Sequence, residues 1–238
     1  MQMIVNDNFF FDSYPDFFKT SIVGSTPNRL NNRYKALIKN NSEIIKNSVV
    51  LDLASHDGRW SFAALLNGAS KIVGIEGRRE LVDSCHNTMK KYGVPDKKYS
   101  FIVGDLFEEI KNIDEKIDVV FCFGIFYHVM NHMSLLSSIK KLRPHYFILD
   151  SAVSSSDSPI IELKSDNIRH PGAAIKANTK EQAIVGWPSK KAIELMLADL
   201  GFEFSYYDWQ CQGIVNWKDI EDYQKGARVS IVAKNLDY

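Results

Sequence analysis

The chain has little cysteine: Cys85, Cys122 and Cys211 are the only three among 238 residues. They are odd in number, far apart and form no C-x-x-C pair, so they read as reduced thiols of a cytosolic protein. Excess charge is absent too, since Lys+Arg and Asp+Glu both number 29. A protein living on nucleic acid usually shows a basic surplus, because phosphate neutralisation drives its affinity, so long nucleic-acid partners are not expected. No apolar run approaches the roughly 18 residues of a membrane span. The start, Met1 to Asn8, has no basic region leading into an apolar core and so does not read as a secretory signal. Internal repeats and low-complexity tracts are missing as well. The expected location is the cytoplasm, away from membranes.

A hydrophobic fraction of 45% with 24% charged residues is ordinary for a globular protein. The length suits one large α/β domain, or one domain with an added cap. Residues 1–47 mix aromatics (Phe9, Phe10, Phe11, Tyr14, Phe17, Phe18) with polar stretches, and Leu30, Tyr34, Leu37 and Ile38 predict a helix near 28–40. Strand-like runs follow at 48–54, 71–76, 99–104, 117–124 and 145–150, with helices predicted near 58–67, 78–92, 105–112 and 131–142. Such alternation implies right-handed crossovers and a mostly parallel sheet with helices on both faces. Residues 151–186 are rich in Ser, Asp, Asn and Gly, show no clear sheet pattern, and suit a lid or substrate loop. A helix near 189–200 and strands at 202–209 and 227–233 then predict a C-terminal antiparallel hairpin. The organisation expected is an N-terminal helical cap or substrate segment over 1–47 and a main domain over 48–238, with 151–186 as its insert.

The most telling stretch is Ser48-Val49-Val50-Leu51-Asp52-Leu53-Ala54-Ser55-His56-Asp57-Gly58-Arg59-Trp60, followed by Lys71-Ile72-Val73-Gly74-Ile75-Glu76. A buried run stops at a small-residue turn, a helix follows, and a second run ends in a carboxylate. That is how an α/β sheet builds a nucleoside site: the turn and helix N-terminus approach the ligand, and the acid accepts from both ribose hydroxyls. Gly104-Asp105-Leu106 closes the third strand, and Phe121 to His128 closes the fourth. In this order the motifs resemble the class I S-adenosylmethionine-dependent methyltransferases over roughly residues 45–235, with a Rossmann-like sheet of seven mostly parallel strands. The family's glycine-rich turn is reduced here to Gly58, with Ala54 and His56 at the other two glycine places. Alanine costs little there if its backbone angles are negative, whereas histidine tolerates a left-handed conformation less well than glycine.

The resemblance implies S-adenosylmethionine as cofactor and assigns roles by position. Asp52 would face its amino group, with Ala54, Ser55 and Gly58 forming the turn, Glu76 taking the ribose diol and Asp105 the adenine amine. Leu106 or Phe107 would pack on the adenine. Trp60, Phe123 or Tyr127 would lie near the sulfonium, which an aromatic face attracts. Asp105 equally suits the N-cap of the helix beginning at Leu106. His128 is the candidate general base, with Tyr127 beside it to orient an acceptor. A Tyr-His pair here resembles a subset of the family that includes enzymes acting on tRNA wobble uridine, which keeps a tRNA acceptor as an alternative. His128 and His132 stand four apart, yet no Glu lies between them and no third ligand is evident, so no metal is expected. The acceptor is expected to be a small molecule meeting Arg33, Tyr34 and Trp187, with Arg29, Lys164, Arg169 and His170 also available. Arginine among them would suit an anionic acceptor.

Two other classes fit part of the pattern. A dinucleotide oxidoreductase would use Glu76 on an NAD ribose, but the turn lacks the three-glycine fingerprint and Asp105 would have no required role. A protein that kept the fold and binds S-adenosylmethionine without chemistry would also fit the unusual turn. The sequence sets no oligomeric state.

Overall fold

The computed structural model describes residues 9–19, 26–167 and 182–238. Runs rich in β-branched and aromatic residues form β1 (Val49–Leu53), β2 (Lys71–Glu76), β3 (Tyr99–Val103), β4 (Val119–Phe123) and β5 (Tyr146–Ala152). They are followed by β6 (Ile161–Asn167), β7 (Gln182–Pro188), β8 (Phe202–Tyr206) and β9 (Arg228–Asn235). The longer helices are α1 (Pro27–Leu37), α3 (Arg59–Leu66), α4 (Arg79–Lys91), α6 (His132–Lys141) and α7 (Lys190–Asp199). Short ones are α2 (Ser42–Ile45), α5 (Leu106–Glu109) and α8 (Glu221–Gln224). Capping fits the chemistry of the termini: Thr26, Asp105 and Ser189 each accept a backbone N–H at the start of α1, α5 and α7.

The main sheet has seven strands in the order β3-β2-β1-β4-β5-β9-β8. β1 to β5 pair in parallel, and β9 runs antiparallel to both β5 and β8. Chain order reverses between β1 and β4, which is where ligands bind in open α/β sheets. Alternate residues of the central strands enter two separate cores. Val50, Ile72, Val119, Phe121 and Ile148 pack with α1, α3 and α4. Leu51, Leu53, Val73, Ile75, Val120 and Leu149 pack with α6 and α7. Strands buried on both faces explain why their sequences read as continuous apolar runs rather than alternating ones.

Residues 9–18 close the first core with aromatic rings. Phe10 stacks on Tyr34 at 4.1 Å, and Tyr14 meets Phe62 edge-on at 4.7 Å. The 151–186 segment departs from the sequence reading. β6 and β7 form an antiparallel hairpin, from Ile161 opposite Pro188 to Asn167 opposite Gln182. Its pattern is hidden because exposed apolar residues (Ile161, Leu163, Ile184) occupy one side of each strand. Among the described residues no helix is long and apolar enough to cross a membrane.

A buried carboxylate ties the outer elements to the sheet. Asp150 of β5 accepts from Arg33 Nη2 of α1 (2.9 Å) and from Arg228 Nε of β9 (2.7 Å). It also accepts from the Tyr223 hydroxyl (2.8 Å) and Ser230 Oγ (2.9 Å). Burial by itself would push this carboxyl up, but the Arg228 and Arg33 guanidiniums and the hydrogen bonds hold it well below the usual carboxylate range. Its contribution to stability is therefore complete above the unfolded value of about 4 and is lost as pH falls through the lower folded value. Asp150→Asn leaves two buried guanidiniums short of a counter-charge and should cost about 3–5 kcal/mol in urea unfolding at pH 7. An unchanged midpoint would show that the network does not hold α1 and α8 on the sheet.

Candidate active site

Parallel pairing brings the C-terminal ends of β1 to β5 out on one edge. In register, Asp52 of β1 lies opposite Gly74 and Phe121, Glu76 of β2 opposite Val103, and Phe123 of β4 opposite Asp150. The acids predicted at three strand ends therefore stand along that edge in the spatial order Asp105, Glu76, Asp52.

The turn after β1 is folded over the end of β2. Ser55 N–H donates to the Ile75 carbonyl (2.9 Å), and His56 N–H donates to Glu76 Oε2 (2.9 Å). Glu76 Oε1 accepts from Arg78 N–H at 3.0 Å, so the carboxylate is held between two backbone donors. Each oxygen keeps further acceptor capacity for a hydroxyl pair. Ala54 and His56 adopt φ of 54° and 55°. The condition under which alanine would cost little at position 54 is therefore not met: both non-glycine residues carry left-handed strain, compensated by the fastening to Glu76 and Ile75. Gly58 has φ of 73°, and a Cβ built there would lie 2.1 Å from Cys85 Sγ. Its lack of a side chain serves the contact of the turn with α4.

An ion pair, a histidine contact and a buried acid complete the turn. Asp57 and Arg59 form a buried fork, with Nε to Oδ1 at 2.7 Å and Nη2 to Oδ2 at 2.6 Å. The second is the contact of His56 Nδ1 with Asp57 Oδ1 at 3.4 Å. Asp52 is buried and accepts from Ser61 Oγ at 2.6 Å. Burial pushes its carboxyl up to about 7, the Ser61 hydroxyl opposes this, and the charge of Glu76 adds to it. An acid poised in this way is ionised by any cation brought beside it. Ser55 Oγ is buried here without a hydrogen-bond partner. Asp105 is exposed and caps α5 through Phe107 N–H at 2.8 Å, while Leu106 and Phe107 are half-buried beside it.

Past β4 the edge becomes aromatic. Phe123 stacks on Phe121 at 4.7 Å and meets the Trp60 ring edge-on at 5.9 Å. Tyr127 lies against His128 at 4.2 Å and Trp187 of β7 at 5.4 Å. His128 Nδ1 is 2.8 Å from Asp166 Oδ2 of β6. The β6–β7 hairpin is held there by Gly186, whose N–H donates to the Val129 carbonyl and whose carbonyl lies 3.1 Å from His132 Nε2. His132 thus faces the hairpin, apart from the Asp166 contact of His128. No group of three or more His, Cys, Asp or Glu suited to a metal ion occurs among the described residues.

Other expected contacts fall differently. Tyr34 is corrected: it is buried, stacked on Phe10, with its hydroxyl 3.2 Å from Asn67 Oδ1, so it belongs to the core. Trp60 is 5% exposed, between Phe11, Phe123 and the Arg33 guanidinium, and acts by packing at the edge. Arg29 forks onto Asp222 with contacts of 2.8 and 2.7 Å. Lys164 lies 3.7 Å from the Trp187 ring centroid. Arg169 and His170 lie outside the described residues. Sequence reasoning missed Asp57, Asp150, Asp166 and Arg228. Asp57 stands inside the turn motif without an assigned role of its own, while Asp150, Asp166 and Arg228 lie far in sequence from their partners and carry no motif.

Residues 44–212 match the family model of a methyltransferase domain. A segment of 89 residues is 33% identical to ribosomal RNA large subunit methyltransferase K/L of Psychrobacter cryohalolentis. The match spans 37% of this chain and 11% of that relative's length. Among solved structures, the N-terminal domain of EvdMO1, determined with SAH and D-fucose, superposes with a TM-score of 0.62 at 16% identity. That superposition covers 86% of this chain and 82% of the other. The DhpI–SAH complex matches at 0.60 and 13%, covering 98% and 97%. A methyltransferase from Mesorhizobium loti matches at 0.60 and 11%, covering 86% and 96%. At these identities the superpositions establish the fold.

The strain and crowding of the turn are measurable. Ala54→Gly should raise unfolding free energy by about 1 kcal/mol, since glycine adopts a left-handed angle freely. Gly58→Ala should lower it by about 2–4 kcal/mol through the Cys85 clash and the positive angle together. Adding Cys85→Ala should recover part of that loss in a double-mutant cycle; strict additivity would show that the two sites do not touch.

Proposed function

The chain belongs to the methyltransferase-domain family and has the class I S-adenosylmethionine-dependent fold, so S-adenosylmethionine is its methyl donor; from that premise we propose transfer to an oxygen or nitrogen of a small or medium-sized acceptor. The observation that carries the placement of the donor is the row of carboxylates at three successive strand ends, Asp105, Glu76 and Asp52, beside the β1 turn. The donor supplies an electrophilic methyl group on a sulfonium. Asp52 would bind its ammonium group, Glu76 its ribose hydroxyls and Asp105 its adenine amine. Ala54, Ser55 and Gly58 would line the turn, with Leu106 beside the base. The orphaned Ser55 hydroxyl and the spare acceptor positions on Glu76 suit such a ligand. Phe123 and Tyr127 would border the reacting centre, where aromatic faces favour a cation.

Much of the rate then comes from holding acceptor and donor in line. His128 would take the proton that an oxygen or nitrogen acceptor must lose. Its Nδ1–H donates to the Asp166 carboxylate in this reading, which puts the lone pair on Nε2. Asp166 is a positioning residue: in this reading it fixes the orientation and tautomer of the ring. This pairing favours an enzyme over a protein that only binds the donor. Tyr127 and Trp187 would flank the acceptor. The ribosomal RNA methyltransferase relative keeps an RNA acceptor as a second reading. Against it stand 29 basic and 29 acidic residues, a balance that gives no general attraction to phosphate.

Asp52→Asn separates ligand binding from folding. At pH 8 the native carboxylate is ionised and buried, so the variant without ligand should be as stable as the parent or more so. Its affinity for S-adenosylmethionine should fall about tenfold in calorimetric titration, the loss of one charge-assisted contact. Undiminished affinity would remove Asp52 from the site. A second test concerns the base. His128→Ala should lower turnover about 10²–10⁴-fold with little change in donor affinity. Asp166→Asn should lower turnover less and move the rising limb of the pH–rate profile to lower pH, because a neutral neighbour stabilises the imidazolium less. Unaltered turnover in both variants would mean that neither residue handles the proton.

A further inference from the structure

The edge is divided electrostatically. Asp105, Glu76 and Asp52 occupy its β3–β2–β1 side. Beside the β4–β5–β9 side, three acids of α8 and β6 are paired: Asp222 with Arg29, Glu162 with Lys164, and Asp166 with His128. Asp150 faces two guanidiniums, Arg33 at 2.9 Å and Arg228 at 2.5 Å, and Asp222, which is paired with Arg29, also feels the charge of Arg228. Arg33 and Arg228 are both at least nine-tenths buried, and Arg33 Nε has no hydrogen-bond partner. The three guanidiniums Arg29, Arg33 and Arg228 against the two carboxylates Asp150 and Asp222 leave one positive charge uncompensated, which is costly in a buried setting.

The surplus lies next to the reacting centre. Arg33 covers the Trp60 ring at 4.8 Å, and Trp60 abuts Phe123 at the end of β4. Arg228 covers the Tyr127 ring at 5.3 Å. Its Nη2 lies 3.5 Å from where a Cβ at Gly124 would stand, at a residue with φ of 86°. That distance is an ordinary contact, so it is the positive φ that favours glycine where the chain leaves β4 beside the guanidinium.

We infer that Arg33 and Arg228 recognise an anionic group, carboxylate or phosphate, on the methyl acceptor, with Tyr127 and Trp187 packing on the body that carries it. The inference rests on the methyltransferase reading above. An arginine fork matches the geometry of such oxyanions, and the bound anion supplies the missing counter-charge. The carboxylate of the donor itself has the same chemistry. The acceptor is favoured because the arginines stand on the side of the edge that carries Tyr127 and His128, away from the row of carboxylates.

The test uses the whole protein saturated with S-adenosylhomocysteine and three probes: benzoate, inorganic phosphate and the neutral isostere benzamide. Benzoate or phosphate should bind about tenfold or more tightly than benzamide, since the difference is a hydrogen bond to charge. Arg33→Gln should reduce anion binding about tenfold and leave S-adenosylhomocysteine affinity within about twofold, while Arg33→Lys should retain part of the anion binding. If Arg33→Gln does not fold, the contrast between benzoate and benzamide on the parent protein decides. Failure of both anions to outbind benzamide overturns the inference. So does a fall in S-adenosylhomocysteine affinity with no fall for 5′-methylthioadenosine, which would assign the arginines to the donor's carboxylate. A parent protein that binds no S-adenosylhomocysteine would instead sink the methyltransferase reading, and this inference with it.

Discussion

Parallel pairing of β1 with β2 and β4 is the constraint on which the site depends. Side-by-side strands running in one direction must all discharge their chains from the same edge, and every crossover must return behind the sheet. Asp52, Glu76, Asp105 and the Phe123–His128 segment are remote in sequence, yet the register from Asp52–Gly74 to Phe123–Asp150 lines them up. Reversing any one of these strands would send its acid to the opposite edge. The antiparallel pair β8–β9 lies outside the parallel block, and its contribution to the edge is Arg228 at the start of β9.

Within that frame, the turn after β1 replaces two of the family's glycines with fastening. Ala54 and His56 hold left-handed angles that glycine would adopt freely, and the His56 N–H hydrogen bond to Glu76 helps to compensate. The same carboxylate that is proposed to bind ribose therefore also sets the shape of the turn. The buried Asp57–Arg59 fork fixes the start of α3 in a similar way. Strain and polar burial are concentrated where a ligand is expected, the usual place for a fold to depart from its own local rules.

The β6–β7 hairpin gives the 151–186 segment a definite task. Its Gly186 backbone fastens it to Val129 and His132, and from that anchorage Asp166 reaches His128 while Trp187 reaches Tyr127. Orientation of the proposed base thus comes from a hairpin outside the main sheet. Any displacement of that hairpin would alter the base and the aromatic wall together. The Asp150 cluster acts in parallel at the other flank, joining α1, α8 and β9 to the sheet while leaving excess cationic charge beside β4.

The parallel strands and their intervening helices were legible in the sequence because burial on both faces demands uninterrupted apolar runs, such as Val49–Leu53 and Val119–Phe123, broken by capping and turn residues. The strand-end positions of Asp52, Glu76 and Asp105 followed from the same pattern. The β6–β7 hairpin was not legible, since Ile161 and Leu163 stand on the open side of β6 while its polar Glu162, Lys164 and Asp166 turn inward, the reverse of the usual alternation. The core position of Tyr34 was decided by Phe10 and Asn67, and the pairing of His128 with Asp166 by two elements 38 residues apart. The sequence by itself determined which local segments become strands and helices, because periodicity and capping are properties of neighbouring residues. Only the tertiary structure decided which charges meet, since electrostatic partners are selected by distance in space and by shared desolvation, and neither leaves a periodic mark along the chain.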